Sequence, residues 1–126
     1  MNVTLQGTHL ELTEELRALV MEKVVDCFHV LGDMNLDAVF LDIELERTTR
    51  RHPLERDTEQ QYRAEALVNL PGHTIRTEGS APDVEQAIVQ LKHSLSRELR
   101  EWRERVIDRA RKGGRDAKKM LGEESV

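Results

Sequence analysis

The amino-acid sequence predicts an α+β domain in the order β-α-β-β-β-α, with a four-stranded mixed sheet and two helices packed on one face. Three observations support this fold. The 126 residues suffice for one domain with its own core. Four short segments alternate apolar and polar residues, as half-buried strands do. Two longer segments repeat apolar residues every three or four positions, as amphipathic helices do.

The first strand and the first helix lie near the N-terminus. In VTLQG, Val3, Leu5 and Gly7 share one face, which indicates a strand. Thr13 is a typical helix N-cap, and the two glutamates after it suit the positive end of the helix dipole. Gly32 is placed to end the helix. The predicted buried stripe contains Leu16, Val20, Val24, Cys27 and Leu31.

Three further strands follow, each with one apolar face. The predicted inward residues are Val39, Leu41, Ile43 and Leu45, then Tyr62, Ala64, Ala66, Val68 and Leu70, and finally Ile75 within 73–79. Polar residues fill most outward positions, so both helices should cover the same face. The stretch 48–59 lacks apolar periodicity and predicts a long loop, whereas Pro71-Gly72 predicts a tight turn. The helical connection predicts parallel first and second strands if they are adjacent, and the hairpins predict antiparallel pairs.

The second helix is expected to run from Pro82 to about Lys112, with Ser80 or Asp83 as its cap and Pro82 in its first turn. Its apolar stripe contains Val84, Ile88, Leu91, Leu95, Leu99, Trp102 and Val106. Such a helix is roughly 45 Å long at about 1.5 Å per residue, so its end should project beyond a short-stranded sheet. We therefore expect one domain over 1–112 with an extended C-terminal helix, and a basic, disordered tail over 113–126.

Charge is distributed unevenly along the chain. The net charge is −5, and residues 1–79 carry 8 Lys+Arg against 15 Asp+Glu, a net of −7. Within 92–119 the balance reverses to 11 basic against 5 acidic residues, a net of +6. A smaller basic cluster contains Arg47, Arg50, Arg51, His52 and Arg56. Any attraction to phosphate must therefore be local.

The sequence gives little support for catalysis, secretion or membrane insertion. No apolar stretch is long enough for a membrane span, and the N-terminus lacks a signal-peptide pattern. The single cysteine, Cys27, fits a reducing cytoplasm and lies on a predicted buried stripe. The five histidines are scattered without the spacing of a zinc site. We expect no enzyme activity, cofactor, metal or small-molecule substrate.

Two interpretations of the basic second helix remain open. Arg97–Glu101 and Arg100–Glu104 stand four residues apart, where ion pairs support a merely solvated helix. The same explanation fails for Arg109, which begins a more basic segment, and a nucleic-acid interface explains that segment better. Trp102 could stack on a base, but its place on the apolar stripe favours core packing.

A resemblance to a known family connects these features. Leu16, Arg17, Val20 and Lys23 match a pattern of the ribosome hibernation-promoting factor family, also described as ribosome-associated inhibitors, ribosomal subunit interface proteins or sigma-54 modulation proteins. Glu78-Gly79 and Ala87-Ile88 match a second pattern, although two extra residues separate its parts. The resemblance covers roughly residues 2–106.

The resemblance implies a non-enzymatic, cytoplasmic factor that docks on the small ribosomal subunit and its rRNA. It implies a fold like that of a double-stranded-RNA-binding domain and a place in the mRNA and tRNA channel, where the protein inhibits translation during stress or stationary phase. Candidate RNA-binding residues are Lys23, Lys92, Arg97, Arg100, Arg103, Arg109, Arg111 and Lys112. A weak homodimer is also left open.

Because some residues depart from the family pattern, a second function remains possible. Asp26 and Asp42 stand where family members often carry lysine, and each lost phosphate contact would weaken ribosome binding. The alternative is a protein–protein regulatory module on the same fold. Its binding surface would be the acidic first helix or the exposed pair Phe40 and Leu67.

Overall fold

A computed structural model describes residues 1–48 and 61–113. The strands are β1 (Asn2–Thr8), β2 (Phe40–Arg47), β3 (Tyr62–Leu70) and β4 (His73–Ala81). The helices are α1 (Glu14–Lys23), a 3₁₀ helix (Val25–Leu31) and α2 (Val84–Gly113). The predicted loop over 48–59 falls almost wholly outside the described residues, as does the predicted tail after Gly113.

The four strands form one sheet in the order β1-β2-β3-β4. β1 and β2 are parallel, with Val3 opposite Leu41. β3 is antiparallel to both β2 and β4. The mixed four-stranded sheet and its strand directions are therefore as the sequence predicted. β4 extends two residues beyond the predicted end at Gly79.

The first helical segment differs from its prediction as a single helix ending at Gly32. Thr13 does cap α1, since the backbone N–H of Leu16 donates to its Oγ1 at 3.1 Å. The α-helix ends at Lys23, however, and a 3₁₀ helix continues to Leu31. Val25, Phe28 and Leu31 stand three residues apart, the period of a 3₁₀ helix, and the last two are buried. Gly32 then ends this segment with φ of 60°.

The core lies between the inner face of the sheet and the helices. Every strand residue predicted to face inward is buried or half-buried. From the helices, the core receives Val20, Val24, Cys27, Phe28, Leu31, Ala87, Ile88, Leu91, Leu95, Leu99, Trp102 and Val106. Each large apolar side chain buried in this way contributes about 1.5–3 kcal/mol of hydrophobic stabilisation. This packing places both helical segments on one face and leaves the other face of the sheet open.

The start and the far end of α2 determine how it lies on the sheet. Asp83 is its cap, since Oδ1 accepts the N–H of Gln86 at 2.8 Å. Pro82 precedes the helix instead of standing in its first turn, because β4 continues to Ala81. At the other end, Val106 is the last buried residue. Beyond it, the helix carries mainly exposed side chains to Lys112, so its last turns project from the core.

Candidate nucleic-acid interface

Three of the predicted binding residues lie along one line of contact between helical segments, which we call the seam. It runs where α1 and the 3₁₀ helix pack against α2, and it is flanked by Lys23, Lys92 and Arg103. The Sγ of Cys27 lies 3.4 Å from the carbonyl oxygen of Lys23 and 3.6 Å from that of Lys92. A β-carbon placed on Gly32 would lie 4.0 Å from Nη2 of Arg103. All three basic side chains are half-buried, as expected when aliphatic stems pack and charged heads reach water.

The other predicted residues lie farther out on α2. Arg97 and Arg100 are exposed on its outer surface. Arg109, Arg111 and Lys112 are exposed on its projecting end. The structure thus arranges the predicted residues as a seam group between the helical segments and an outer group on α2.

The cations of α2 have no carboxylate partners within the part of the chain that the structure describes. No Lys or Arg side chain of α2 lies within 4.0 Å of an Asp or Glu oxygen there. The pairs expected for a merely solvated helix, Arg97–Glu101 and Arg100–Glu104, are therefore not formed. From Lys92 to Lys112 the helix carries 8 basic and 4 acidic residues, a net of +4. These charges remain available to an external anion.

The open face of the sheet has the opposite electrostatic character. Arg63 lies among four carboxylates, with Nε 3.1 Å from Glu46 and Nη1 3.5 Å from Glu65. Glu44 and Glu78 lie 3.9 and 3.8 Å from its terminal nitrogens. Partial burial alone would lower the pKa of Arg63, but the hydrogen bond with Glu46 and the nearby carboxylates raise it, so it stays charged.

The remaining ionised groups of the open face are also engaged. Arg76 lies 3.5 Å from Glu65, and Asp42 accepts a hydrogen bond from Thr4. Overall the face carries five carboxylates, Asp42, Glu44, Glu46, Glu65 and Glu78, against Arg63 and Arg76, a net of −3. This face therefore disfavours phosphate. Sequence reasoning placed the acidic residues of β2 outward but missed the cluster around Arg63, which depends on the pairing of three strands.

Cys27 and Trp102 are core residues, as predicted. Burial raises the pKa of the Cys27 thiol, and this outweighs the hydrogen bond that the Ser96 hydroxyl donates to Sγ at 3.2 Å. A buried, protonated thiol is a poor nucleophile. Trp102 is only 6% exposed, and its ring stacks on that of His73 with centroids 6.4 Å apart. It is not presented to a nucleic-acid base.

Two further groups bear on the predicted interface. Asp26, on the exposed side of the 3₁₀ helix, lies 2.9 Å from Nδ1 of His29 and brings a negative charge close to the seam. In the smaller basic cluster, Arg47 lies over the ring of Tyr62 at 5.9 Å from its centroid. The other members of that cluster lie outside the described residues.

The described residues, 1–48 and 61–113, offer neither a metal site nor a membrane-spanning helix. In these ranges, no three His, Cys, Asp or Glu side chains converge as a metal ion would require. No helix there is long and apolar enough to cross a membrane.

Comparison with known sequences identifies the family. The family described as "Sigma 54 modulation protein / S30EA ribosomal protein" matches residues 3–107. The chain belongs to this family. The predicted resemblance, placed at roughly residues 2–106, is confirmed.

Relatives and solved structures agree with this membership. A ribosome hibernation promoting factor of Acinetobacter guillouiae is 26% identical to this family member, over 86% of this chain and 92% of the relative. A ribosome hibernation promotion factor of Deinococcus radiodurans is 30% identical over 86% of this chain, which spans 52% of that relative.

Among solved structures, the N-terminal domain of Protein Y from Thermus thermophilus has a TM-score of 0.63 at 24% identity, covering 81% of this chain and 99% of that chain. A ribosomal subunit interface protein from Coxiella burnetii has a TM-score of 0.59 at 20% identity, covering 82% and 99%. These two structures establish the shared fold.

Proposed function

We propose that this family member is a ribosome hibernation factor that binds rRNA of the small ribosomal subunit. In this proposal it occupies the mRNA and tRNA channel and inhibits translation during stress or stationary phase, in the cytoplasm. The names of its relatives support a ribosomal partner. Its binding surface is the seam together with the outer residues of α2.

The observation that carries the proposal is the separation of paired and unpaired cations. On the open sheet face, Arg63 and Arg76 already contact carboxylates. On α2, cations such as Arg97 and Arg100 have no such partner among the described residues. RNA presents a dense row of phosphates, and unpaired cations bind them without first breaking an internal ion pair. The helix surface is therefore the better RNA-binding face.

The proposed activity is binding and not catalysis. The one cysteine is buried with a raised pKa, so it supplies no reactive thiolate. Inhibition then follows from occupying the channel, which requires affinity and shape but no bond-making step.

Cosedimentation with purified small subunits at low and moderate salt tests the proposal. The double variant Arg97→Glu/Arg100→Glu reverses two exposed, unpaired cations, and we expect it to weaken binding at least about tenfold. The control, Arg47→Glu/Arg76→Glu, changes the net charge equally but lies on or beside the sheet. It should bind like the parent. Thermal melting monitored by circular dichroism checks that both variants fold.

Equal cosedimentation of the two double variants and the parent would contradict the proposal. The protein–protein regulatory module would then take its place. One observation favours that alternative: Phe40 is 51% exposed on the open face, where an aromatic side chain suits a protein contact.

A further inference from the structure

We propose that the free edge of β4 pairs with the same edge of a second copy, giving a weak symmetric dimer with a continuous eight-stranded sheet. The proposal does not depend on ribosome binding. β4 is the last strand of the sheet, so one of its edges pairs with no strand among the described residues. Unpaired edge groups are ready to bond to another strand.

The register of the β3–β4 hairpin shows which groups face outward. Its two-residue turn closes on the pair Leu70 and His73, which is hydrogen-bonded in such hairpins. The odd-numbered residues of β4 therefore bond to β3, and the even-numbered ones point their N–H and C=O groups outward. Ser80 agrees with this, because its outward N–H donates at 3.3 Å to Oε1 of Gln90 on α2.

The outward residues Thr74, Arg76, Glu78 and Ser80 form a self-complementary series. In an antiparallel pair centred on Thr77, Arg76 stands opposite Glu78 of the second copy, and Glu78 opposite Arg76. Opposite charges at facing positions stabilise strand pairs. The two neighbouring registers, centred on Arg76 or on Glu78, place like charges opposite each other. Among these three registers, charge favours the one centred on Thr77.

The side chains that would meet are accessible. Arg76 is 67% exposed and lies 3.5 Å from Glu65, while Glu78 is 55% exposed and lies 3.8 Å from Arg63. Both can turn toward a second strand without leaving a buried charge.

The helix above this edge also permits a close approach. Gln86 and Ser94 stand four residues on either side of Gln90 and share its helix face. All three are uncharged, whereas Arg97 and Glu101, farther along the same face, carry opposite charges. In the dimer, the N–H of Ser80 exchanges Gln90 for a carbonyl of the second copy. Because the isolated chain already satisfies this N–H, the dimer should be weak and reversible.

The dimer leaves the seam accessible. Lys92 and Arg103 lie on the side of α2 that faces the 3₁₀ helix, whereas Gln90 lies on the side that faces the β4 edge. The two surfaces can therefore be tested separately.

Analytical ultracentrifugation of the full chain from micromolar to millimolar concentration tests the proposal. The parent should show a concentration-dependent dimer. Arg76→Glu and Glu78→Arg each place like charges opposite one another, and each should raise the dissociation constant roughly tenfold or more. The double variant Arg76→Glu/Glu78→Arg restores opposite charges and should dimerise like the parent. Asp42→Arg, an equal charge reversal away from the edge, should leave dimerisation unchanged.

Mixing the two single variants gives the sharpest result. Arg76→Glu then carries two carboxylates and Glu78→Arg two guanidinium groups at these positions, so an equimolar mixture should form a heterodimer more tightly than either variant alone forms a homodimer. Damage to the fold cannot produce that rescue. A parent that stays monomeric at every concentration overturns the proposal. So do single variants that dimerise undiminished, or a mixture that stays monomeric.

Discussion

Two residues fix how closely α2 approaches the sheet. Gly79 allows contact near the start of the helix, because a β-carbon there would lie 2.6 Å from the backbone nitrogen of Leu91 and 2.7 Å from the carbonyl oxygen of Ala87. Trp102 fills the space nearer the other end by stacking on His73. One position has no room for a β-carbon and the other is filled by an indole, and together they hold the helix that carries seven of the eight candidate binding residues.

Replacing Trp102 with alanine should strongly destabilise the domain. The indole is only 6% exposed, and a large-to-small change at such a site typically costs about 3–5 kcal/mol. Chemical denaturation of the variant and the parent measures the difference in unfolding free energy.

A Trp102→Leu variant separates packing from base stacking. Leucine keeps an apolar side chain at this position but cannot stack. Under conditions where the variant is folded, it should bind small subunits like the parent. Normal stability of the alanine variant together with lost binding in the leucine variant would instead assign Trp102 to the interface.

At the scale of elements, alternating patterns predicted the strands well because each has one buried and one open face. The first helix was predicted less well. The residues Val20, Val24, Cys27 and Leu31 fit an α-helical stripe, yet the chain turns into a 3₁₀ helix after Val24. In short segments, spacings of three fit both helix types, and contacts with α2 decide between them.

In the candidate interface, too, some features could be predicted from the sequence and others depend on the folded structure. The positive charge of α2 follows from composition, so its residues could be named in advance, but the spacing also allowed the pairs Arg97–Glu101 and Arg100–Glu104, which the structure does not form. Lys23, Lys92 and Arg103 were named as well, but their placement along one seam does not follow from spacing, because Lys23 and Lys92 are 69 positions apart and their backbones approach only through packing around Cys27. The carboxylates around Arg63 likewise come together only through the pairing of β2, β3 and β4, so spacing along the sequence does not reveal them.

The segment after Lys112 should be dispensable for folding. Val106 is the last buried residue of the helix, and the exposed side chains after it bury little apolar surface. Truncation after Lys112 should therefore leave the melting temperature nearly unchanged, as differential scanning calorimetry can measure. A fall of more than a few degrees would show that residues 113–126 stabilise the domain.

For the whole molecule, charge is separated between two surfaces. The open sheet face carries a net of −3, while α2 from Lys92 to Lys112 carries +4. Such an arrangement orients a protein near a polyanion, because one surface is attracted and the other repelled. In the proposed function, it would also allow a protein with an overall charge of −5 to bind RNA on one side.

The two aspartates that depart from the family pattern provide a test of this orientation. Asp26 lies near the seam, whereas Asp42 lies on the open face, so Asp26→Lys should tighten binding to small subunits and Asp42→Lys should not. A new phosphate contact adds about 0.7–0.9 to the magnitude of the slope of log K against log salt concentration. Binding measured at several salt concentrations should show that steeper slope for Asp26→Lys alone. Both variants change the charge by the same amount, so net charge cannot explain a difference. A gain for Asp42→Lys without one for Asp26→Lys would mean that the open face, and not the helix surface, meets the RNA.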